Sequence, residues 1–589
     1  MNEMEFLDLI KQCTIFSSID EKSLQQFLPY FQKISLTANE VLFHQGDVSD
    51  RVYILTEGQL ATILTTATGE KKILGTVDPV ETIGELGVLS GETRSLTVQA
   101  LIPSKFITLP GSVFKELCHL FPAILFETVQ PIVSRSLKTI KLIAGKKEGR
   151  CMIFFPINHN ISLNEFKTKL QKNLIKEHHS AIITSKDFQQ SEQSLQQWKH
   201  EHKNVFIFLE SHDAPLPQID LEKADGFYAI GNADEPIEID AITEKKLTAI
   251  QHYGPQKLNL LLLHTKPKAF PTNTQDWLEK ANFNFHYHVR TDRNEDYQRF
   301  LRIITGTATG LVLGGGGARG FTHIGVIKSL FENTISIDMM GGTSIGAVAA
   351  ACFALHESYE EIAKNFTVIA EAAQRSLTFS HLTWPLISLF SGNPGTRALQ
   401  TIFNDLRMEN LWMPLFCISS NLSEQREEVH RTGLLWEKLR GSAAFPGVVP
   451  PFVINNQLHY DGGLLNNLPV DVMRRILGVE AKIIASKLSP DEIDKTHYDF
   501  PPILTFWQAF MRRIHFIHRR EKFPLLFDSF LNAVLLGTSH KEKQNSLIAD
   551  ILINPNLSHI GMLKFSKRLE RHLIELGYRA ANKVLKSKN

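Results

Sequence analysis

Gly314-Gly315-Gly316-Gly317-Ala318-Arg319-Gly320 is the stretch on which the fold turns. It follows the strand-like run Leu311-Val312-Leu313 and precedes residues 321–331, whose apolar positions recur at helical spacing. A second string, Gly342-Thr343-Ser344-Ile345-Gly346, lies between the apolar run 335–340 and the small apolar residues 347–355. Each unit reads as strand, glycine turn, helix, the rhythm of an α/β domain. A third string, Asp461-Gly462-Gly463, completes the set.

The second string fits a nucleophile elbow, in which a serine stands on a sharp strand-to-helix turn and Gly342 and Gly346 let the backbone fold back. The following helix would direct its positive N-terminal end at Ser344. In the first string, the backbone N–H groups at a helix start can hold an oxyanion. Gly315 to Gly320 also satisfies the G-x-G-x-x-G pattern of a dinucleotide site, which needs an acid about twenty residues on for the ribose. The acid at that distance is Asp338, directly before the serine elbow, so the unit already holds a competing site.

A Ser-Asp-His hydrolase requires a histidine after the acid. The histidines beyond Asp461 are His497, His515, His518, His540, His559 and His572, and none sits in a Gly-rich turn. His323, near the glycine loop, reads as structural. The simpler arrangement is a dyad in which Asp461 bonds Ser344 directly and acts as general base.

In this order the three strings resemble the patatin-like phospholipases, which use a Ser-Asp dyad to hydrolyse acyl esters of lipids. The neuropathy target esterase branch is the nearer likeness. It rests on Arg302-Ile303-Ile304-Thr305-Gly306, Gly325-Val326, Asp338-Met339-Met340-Gly341-Gly342 and Leu464-Leu465-Asn466-Asn467-Leu468-Pro469, and covers most of residues 300–485. The resemblance implies Ser344 as nucleophile and Asp461 as proton acceptor. It also implies an oxyanion hole from Gly315, Gly316 and Gly317 with Arg319 braced beside it, and Gly462 and Gly463 completing the aspartate motif. A lysophospholipase or phospholipase activity follows, with no catalytic cofactor. No Cys/His spacing of a zinc site occurs, and the five cysteines are scattered.

Residues 1–145 read as a separate module. Short β-rich runs at 41–43, 52–55 and 60–64 are broken by turn residues, which predicts a β-roll or jelly roll. Ile83-Gly84-Glu85-Leu86-Gly87-Val88-Leu89 followed by Thr93-Arg94-Ser95 resembles the phosphate-binding cassette of cyclic nucleotide-binding domains. That resemblance implies Glu85 on a ribose hydroxyl, Arg94 on the cyclic phosphate of cAMP or cGMP, and amides around Gly84, Leu86 and Ser95 sharing the anion. Thr93 stands where proline is common, and a purely structural β-roll is the competing reading.

Residues 150–300 alternate apolar runs (151–157, 181–184, 205–209, 226–230, 258–263) with polar helix-like stretches such as 163–177 and 191–202, the βαβ rhythm of a parallel sheet. They carry no phosphate-binding string, so the segment reads as a non-catalytic α/β domain. The expected division is therefore 1–145, 150–300, a catalytic domain at 305–485, and a helical extension at 486–589 belonging to the catalytic module.

The 589 residues carry a net charge of +1, which argues against nucleic acid as partner. The first sixteen residues are too polar for a signal peptide, and no run reaches the roughly 18 apolar residues of a membrane span, so a cytoplasmic, membrane-peripheral protein is expected. Residues 382–390 and the basic, aromatic stretch 506–522 are candidates for contact with a phospholipid surface. A homodimer is compatible with the chain. Two other readings stay open: a nucleotide-sensing, membrane-binding scaffold, and a soluble serine esterase with a histidine.

Overall fold

The computed structural model describes residues 10, 16, 19–65, 71–77, 79, 82–122, 124, 149–157, 161, 163–174, 180–190, 195–216, 223–384, 387–489, 526–558, 560–562 and 566–586. The chain forms two compact units, Met1–Lys147 and Glu148–Asn589.

In the first unit, two antiparallel four-stranded sheets make a β-roll. One runs in the order Gln32–Leu36, Ser104–Pro110, Arg51–Glu57, Thr82–Ile83, and the other Val41–Phe43, Thr97–Ala100, Leu60–Thr65, Lys71–Val77. Val52, Ile54, Ile107 and Leu109 point from the first sheet onto the helix Gly111–Leu120 through Phe114 and Leu117. Leu55, Leu60, Val98 and Phe106 fill the space between the sheets. Burying such side chains contributes about 1.5–3 kcal/mol each, which is why the alternation in these strands sets their register.

The second unit holds two sheets. The first is parallel throughout, in the order Ser180–Thr184, Asn204–Phe208, Arg150–Pro156, Gly226–Asn232, Leu258–His264, Phe285–Arg290. Its central strands are buried on both faces, as their unbroken apolar runs require. Five strands match the runs read from sequence. The sixth, Phe285–Arg290, went unread because His286 and His288 alternate with Tyr287 and Val289 in place of an aliphatic run.

The second sheet, as far as it is described, runs Phe452–Ile454, Gln457–Asp461, Leu415–Asn421, Met339–Thr343, Thr309–Leu313, Lys482–Ser486, Ile551–Ile553, with Arg426–His430 on the flank of Leu415–Asn421. The centre is parallel and the Phe452 end antiparallel. The strand expected at 335–340 lies instead at Met339–Thr343. Thr334, at φ 52°, turns the chain, and Ile335 N–H closes back on Leu330, so the helix Phe321–Glu332 is capped there and residues 335–338 connect it to the strand. Segment 486–589 contributes to this sheet through Ile551–Ile553 and packs its last helix, Lys567–Lys586, on Phe321–Glu332. These helices approach so closely that a Cβ on Gly325 would overlap the Ile574 carbonyl. No helix among the described residues is long and apolar enough to cross a membrane, and residues 506–522 lie outside the described part of the chain.

Candidate functional site

The strand Met339–Thr343 ends at Ser344, whose φ of 55° and ψ of −127° are rare for a residue with a side chain. Such a conformation costs on the order of 1–3 kcal/mol and persists only where its surroundings enforce it. The enforcement is visible two residues on, where a Cβ at Gly346 would overlap the Leu313 carbonyl of the neighbouring strand. The helix Ile345–Leu355 starts at once, with its positive end beneath the serine. From the other side, Gln457–Asp461 pairs with Leu415–Asn421 so that Asp461 stands opposite Ser419. The two turns bring the side chains together: Ser344 Oγ donates to Asp461 Oδ2 at 2.6 Å.

Asp461 is held on all sides. Its N–H donates to Ala444 at 2.9 Å, its carbonyl accepts from Ser420 Oγ at 2.9 Å, and its Oδ1 accepts the Gly463 N–H at 2.8 Å. Only 4% of the residue is exposed. Burial pushes the carboxyl up to about 6, against the hydrogen bonds from Ser344 and Gly463, which favour the ionised form.

In the glycine loop, Gly314 donates to Ser486 and Ala318 to Met562 at 2.6 Å. Gly315 N–H donates to the Asn467 carbonyl at 3.1 Å, so this amide braces the loop and is not presented as an oxyanion donor, which corrects the expectation for that residue. Arg319 likewise serves the loop and not the oxyanion: Nε donates to Ile560 O at 2.8 Å and Nη1 to Leu488 O at 3.3 Å. Gly316 and Gly317 both line the cavity at Ser344.

Asp338 is no ribose ligand. Buried, it takes Arg302 Nη2 at 2.7 Å and the Thr309 N–H at 2.9 Å, pinning the helix Asn294–Thr305 to the sheet. His323 is buried between Ser486 Oγ, 3.0 Å away, and Gly314 O, 2.8 Å away, and burial pushes its imidazole down to about 4. His572 is exposed. His497, His515, His518 and His559 fall outside the described residues, as does the side chain of His540. Among the described residues lining the cavity none is a histidine.

Ser344 and Asp461 open on a cavity of about 200 Å³ walled mainly by Phe321, Val348, Phe366, Ile369, Leu399 and Val448. Its rim includes a loop stitched to the wall by Leu389 N–H to Gly447 O and Phe390 N–H to Val448 O. That loop carries Phe379, Trp384 and Ile387 at 94%, 86% and 68% exposure. Two site residues escaped the sequence reading. Ser442 Oγ accepts the Ser344 N–H at 3.0 Å and donates to Ile418 O at 2.5 Å. Asn467, besides accepting from Gly315, reaches back to that residue's carbonyl. No local signal marks Ser442, whereas Asn467 lies in the string following the aspartate motif. No cluster of metal-ligating side chains occurs among the described residues.

In the first unit, Gly84 takes φ 83° and starts the short helix Glu85–Ser90, with Glu85 buried and Leu86 and Ser95 exposed. Arg94 is buried beneath it. Its Nη1 donates to Gly84 O at 2.9 Å and its Nη2 to Arg51 O at 2.7 Å, and its guanidinium stacks 4.3 Å from the Phe43 ring. Burial lowers its pKa, with Tyr53, Asp50 and Glu85 opposing.

Comparison with known proteins finds a likeness in each of the two units. Residues 311–474 match the family described as patatin-like phospholipase, and residues 33–120 match the cyclic nucleotide-binding domain. Patatin-like phospholipase domain-containing protein 7 of Rattus norvegicus is 28% identical over 532 residues, covering 79% of this chain and 39% of that protein. Patatin-like phospholipase domain-containing protein 6 of Homo sapiens is 26% identical over 551 residues, covering 82% and 39%. A lysophospholipase of Mycosarcoma maydis is 25% identical over 531 residues, covering 74% and 28%. The chain thus spans 39% or less of the length of these relatives. Residues 311–474 are thus similar to the patatin-like phospholipases, and residues 33–120 to cyclic nucleotide-binding domains.

Proposed function

We propose that this protein is a serine lipid acyl hydrolase that releases fatty acid from lysophospholipid or phospholipid, with Ser344 as nucleophile and Asp461 as general base. The observation that carries the proposal is the 2.6 Å Ser344–Asp461 hydrogen bond beside an apolar cavity. A carboxyl near its ordinary pKa is a weak base, and the rise to about 6 makes Asp461 a better acceptor while leaving it ionised at neutral pH. Asp461 takes the Ser344 proton as Oγ bonds to the ester carbonyl carbon. The carbonyl oxygen gains the negative charge and meets the Gly316 and Gly317 amides, each such donor contributing about 3–4 kcal/mol to the transition state. The C–O bond to the alcohol half breaks, and that half leaves with the proton. Water then gives a proton to Asp461, adds to the acyl-serine, and frees the fatty acid as Ser344 regains its hydrogen.

Exposed Phe379, Trp384 and Ile387 beside the cavity support a membrane-peripheral mode of working, the rim resting on the lipid surface. The family match at 33–120 supports cAMP or cGMP as a regulatory ligand, with Arg94 and Glu85 as its readers. The division into 1–145, 150–300, 305–485 and 486–589 belongs to the same proposal, the last segment serving the catalytic module. The test is fatty-acid release from lysophosphatidylcholine by the protein and its Ser344→Ala and Asp461→Asn variants. Loss in both variants supports the dyad, and equal rates in all three proteins refute the hydrolase.

A further inference from the structure

Arg440 lies in the last turn of the helix Leu435–Ser442, two residues before the serine that accepts the Ser344 N–H. It is the one cation among the described residues lining the cavity, as Asp461 is the one acid. Only 7% of Arg440 is exposed. Nε donates to Thr396 Oγ1 at 3.0 Å and Nη2 to Pro450 O at 3.0 Å, while the buried Nη1 has no protein acceptor among the described residues. No carboxylate among them lies within ion-pair distance: the bonds of Asp461 go to Ser344 and Gly463. Burial draws the guanidinium down to about 10, so it stays charged at neutral pH.

A buried cation without a counter-ion costs several kcal/mol, and proteins keep such groups where an anion arrives. Guanidinium is suited to phosphate, whose oxygens match its fork of donors. The other needs of a lysophospholipid already have walls here: apolar side chains for the acyl tail and the Gly316 and Gly317 amides for the ester oxygen. What remains is the phosphodiester charge. We propose that the Arg440 guanidinium reads this phosphate and so selects phospholipid esters over neutral acylglycerols. The inference rests on the hydrolase reading of the same cavity.

The test compares kcat/KM for a lysophosphatidylcholine and a monoacylglycerol of the same acyl chain, in the full protein and its Arg440→Gln and Arg440→Lys variants. Arg440→Gln should lower the phospholipid-to-acylglycerol ratio about ten-fold or more, chiefly through KM. Arg440→Lys, which keeps the charge, should recover part of it. A Gln variant that loses both substrates by one factor, with no recovery by Lys, would make Arg440 a clamp on Thr396 and Pro450 and overturn the proposal. An unchanged ratio with weakened inhibition by free fatty acid would also overturn it, assigning the cation to the product carboxylate. Wild-type protein that cleaves neither ester defeats the hydrolase reading itself, a result distinct from either.

Discussion

The amide of Ser344 is held by the hydroxyl of Ser442, which passes its own hydrogen to the Ile418 carbonyl one strand away. The strained Ser344 is thereby tied to the helix Leu435–Ser442 and the strand Leu415–Asn421 at once. Ser442→Ala would take a hydrogen-bond partner from the half-buried Ser344 N–H and from the buried Ile418 carbonyl. The expected outcome is a loss of about 1–3 kcal/mol in thermal or denaturant unfolding. The kcat should fall more than KM rises, because Ser344 loses its aim and the cavity keeps its walls; an unaltered kcat would separate the elbow from Ser442.

Asp461 predicts two pH effects. In the proposed role of proton acceptor it must be ionised, so the single-turnover rate should rise through about pH 6. Its folded pKa lies above the ordinary carboxyl value, so its contribution to stability is full below that ordinary value and is lost as pH rises through about 6. Asp461→Asn should therefore melt above the wild type at pH 8, by up to about 3 kcal/mol, and the gap should close by pH 4. A gap that is constant with pH would contradict burial as the cause.

Phe379, Trp384 and Ile387 predict lipid binding. Changing Trp384 and Ile387 together to serine should cut co-sedimentation with phosphatidylcholine vesicles by roughly ten-fold or more, each side chain contributing about 1.5–3 kcal/mol when buried in lipid. Equal sedimentation of variant and wild type would detach the rim from the membrane.

Arg94 spends two of its five N–H donors on the Gly84 and Arg51 carbonyls, so a cyclic phosphate must draw on the other three, Nε among them. Calorimetric titration of the full chain with cAMP and cGMP should show binding by the wild type that Arg94→Ala loses. Arg94→Ala should also cost about 1–3 kcal/mol of stability in the β-roll. Absence of heat with both nucleotides would leave Arg94 a purely structural bolt.

What could be read from the sequence divides along a physical line. The glycine strings were legible because a sharp turn or a close backbone approach is a local demand that few residues meet, and Gly346 against Leu313 is such a case. Long apolar strands such as Leu258–His264 announced themselves by burial on both faces. Ser442, the unpartnered nitrogen of Arg440 and the diversion of the Gly315 amide to Asn467 were not legible, since each depends on what stands across the fold. The three-residue strand Ile551–Ile553 is too short for any periodicity to show.

The brace behind the glycine loop has a consequence in time. Ala318 and Arg319 are held by Met562 and Ile560, more than two hundred residues later in the chain. During synthesis Ser344 and Asp461 emerge while the glycine loop beside them still lacks its backing. A nascent chain thus lacks the brace on its glycine loop until residue 562 has left the ribosome and docked.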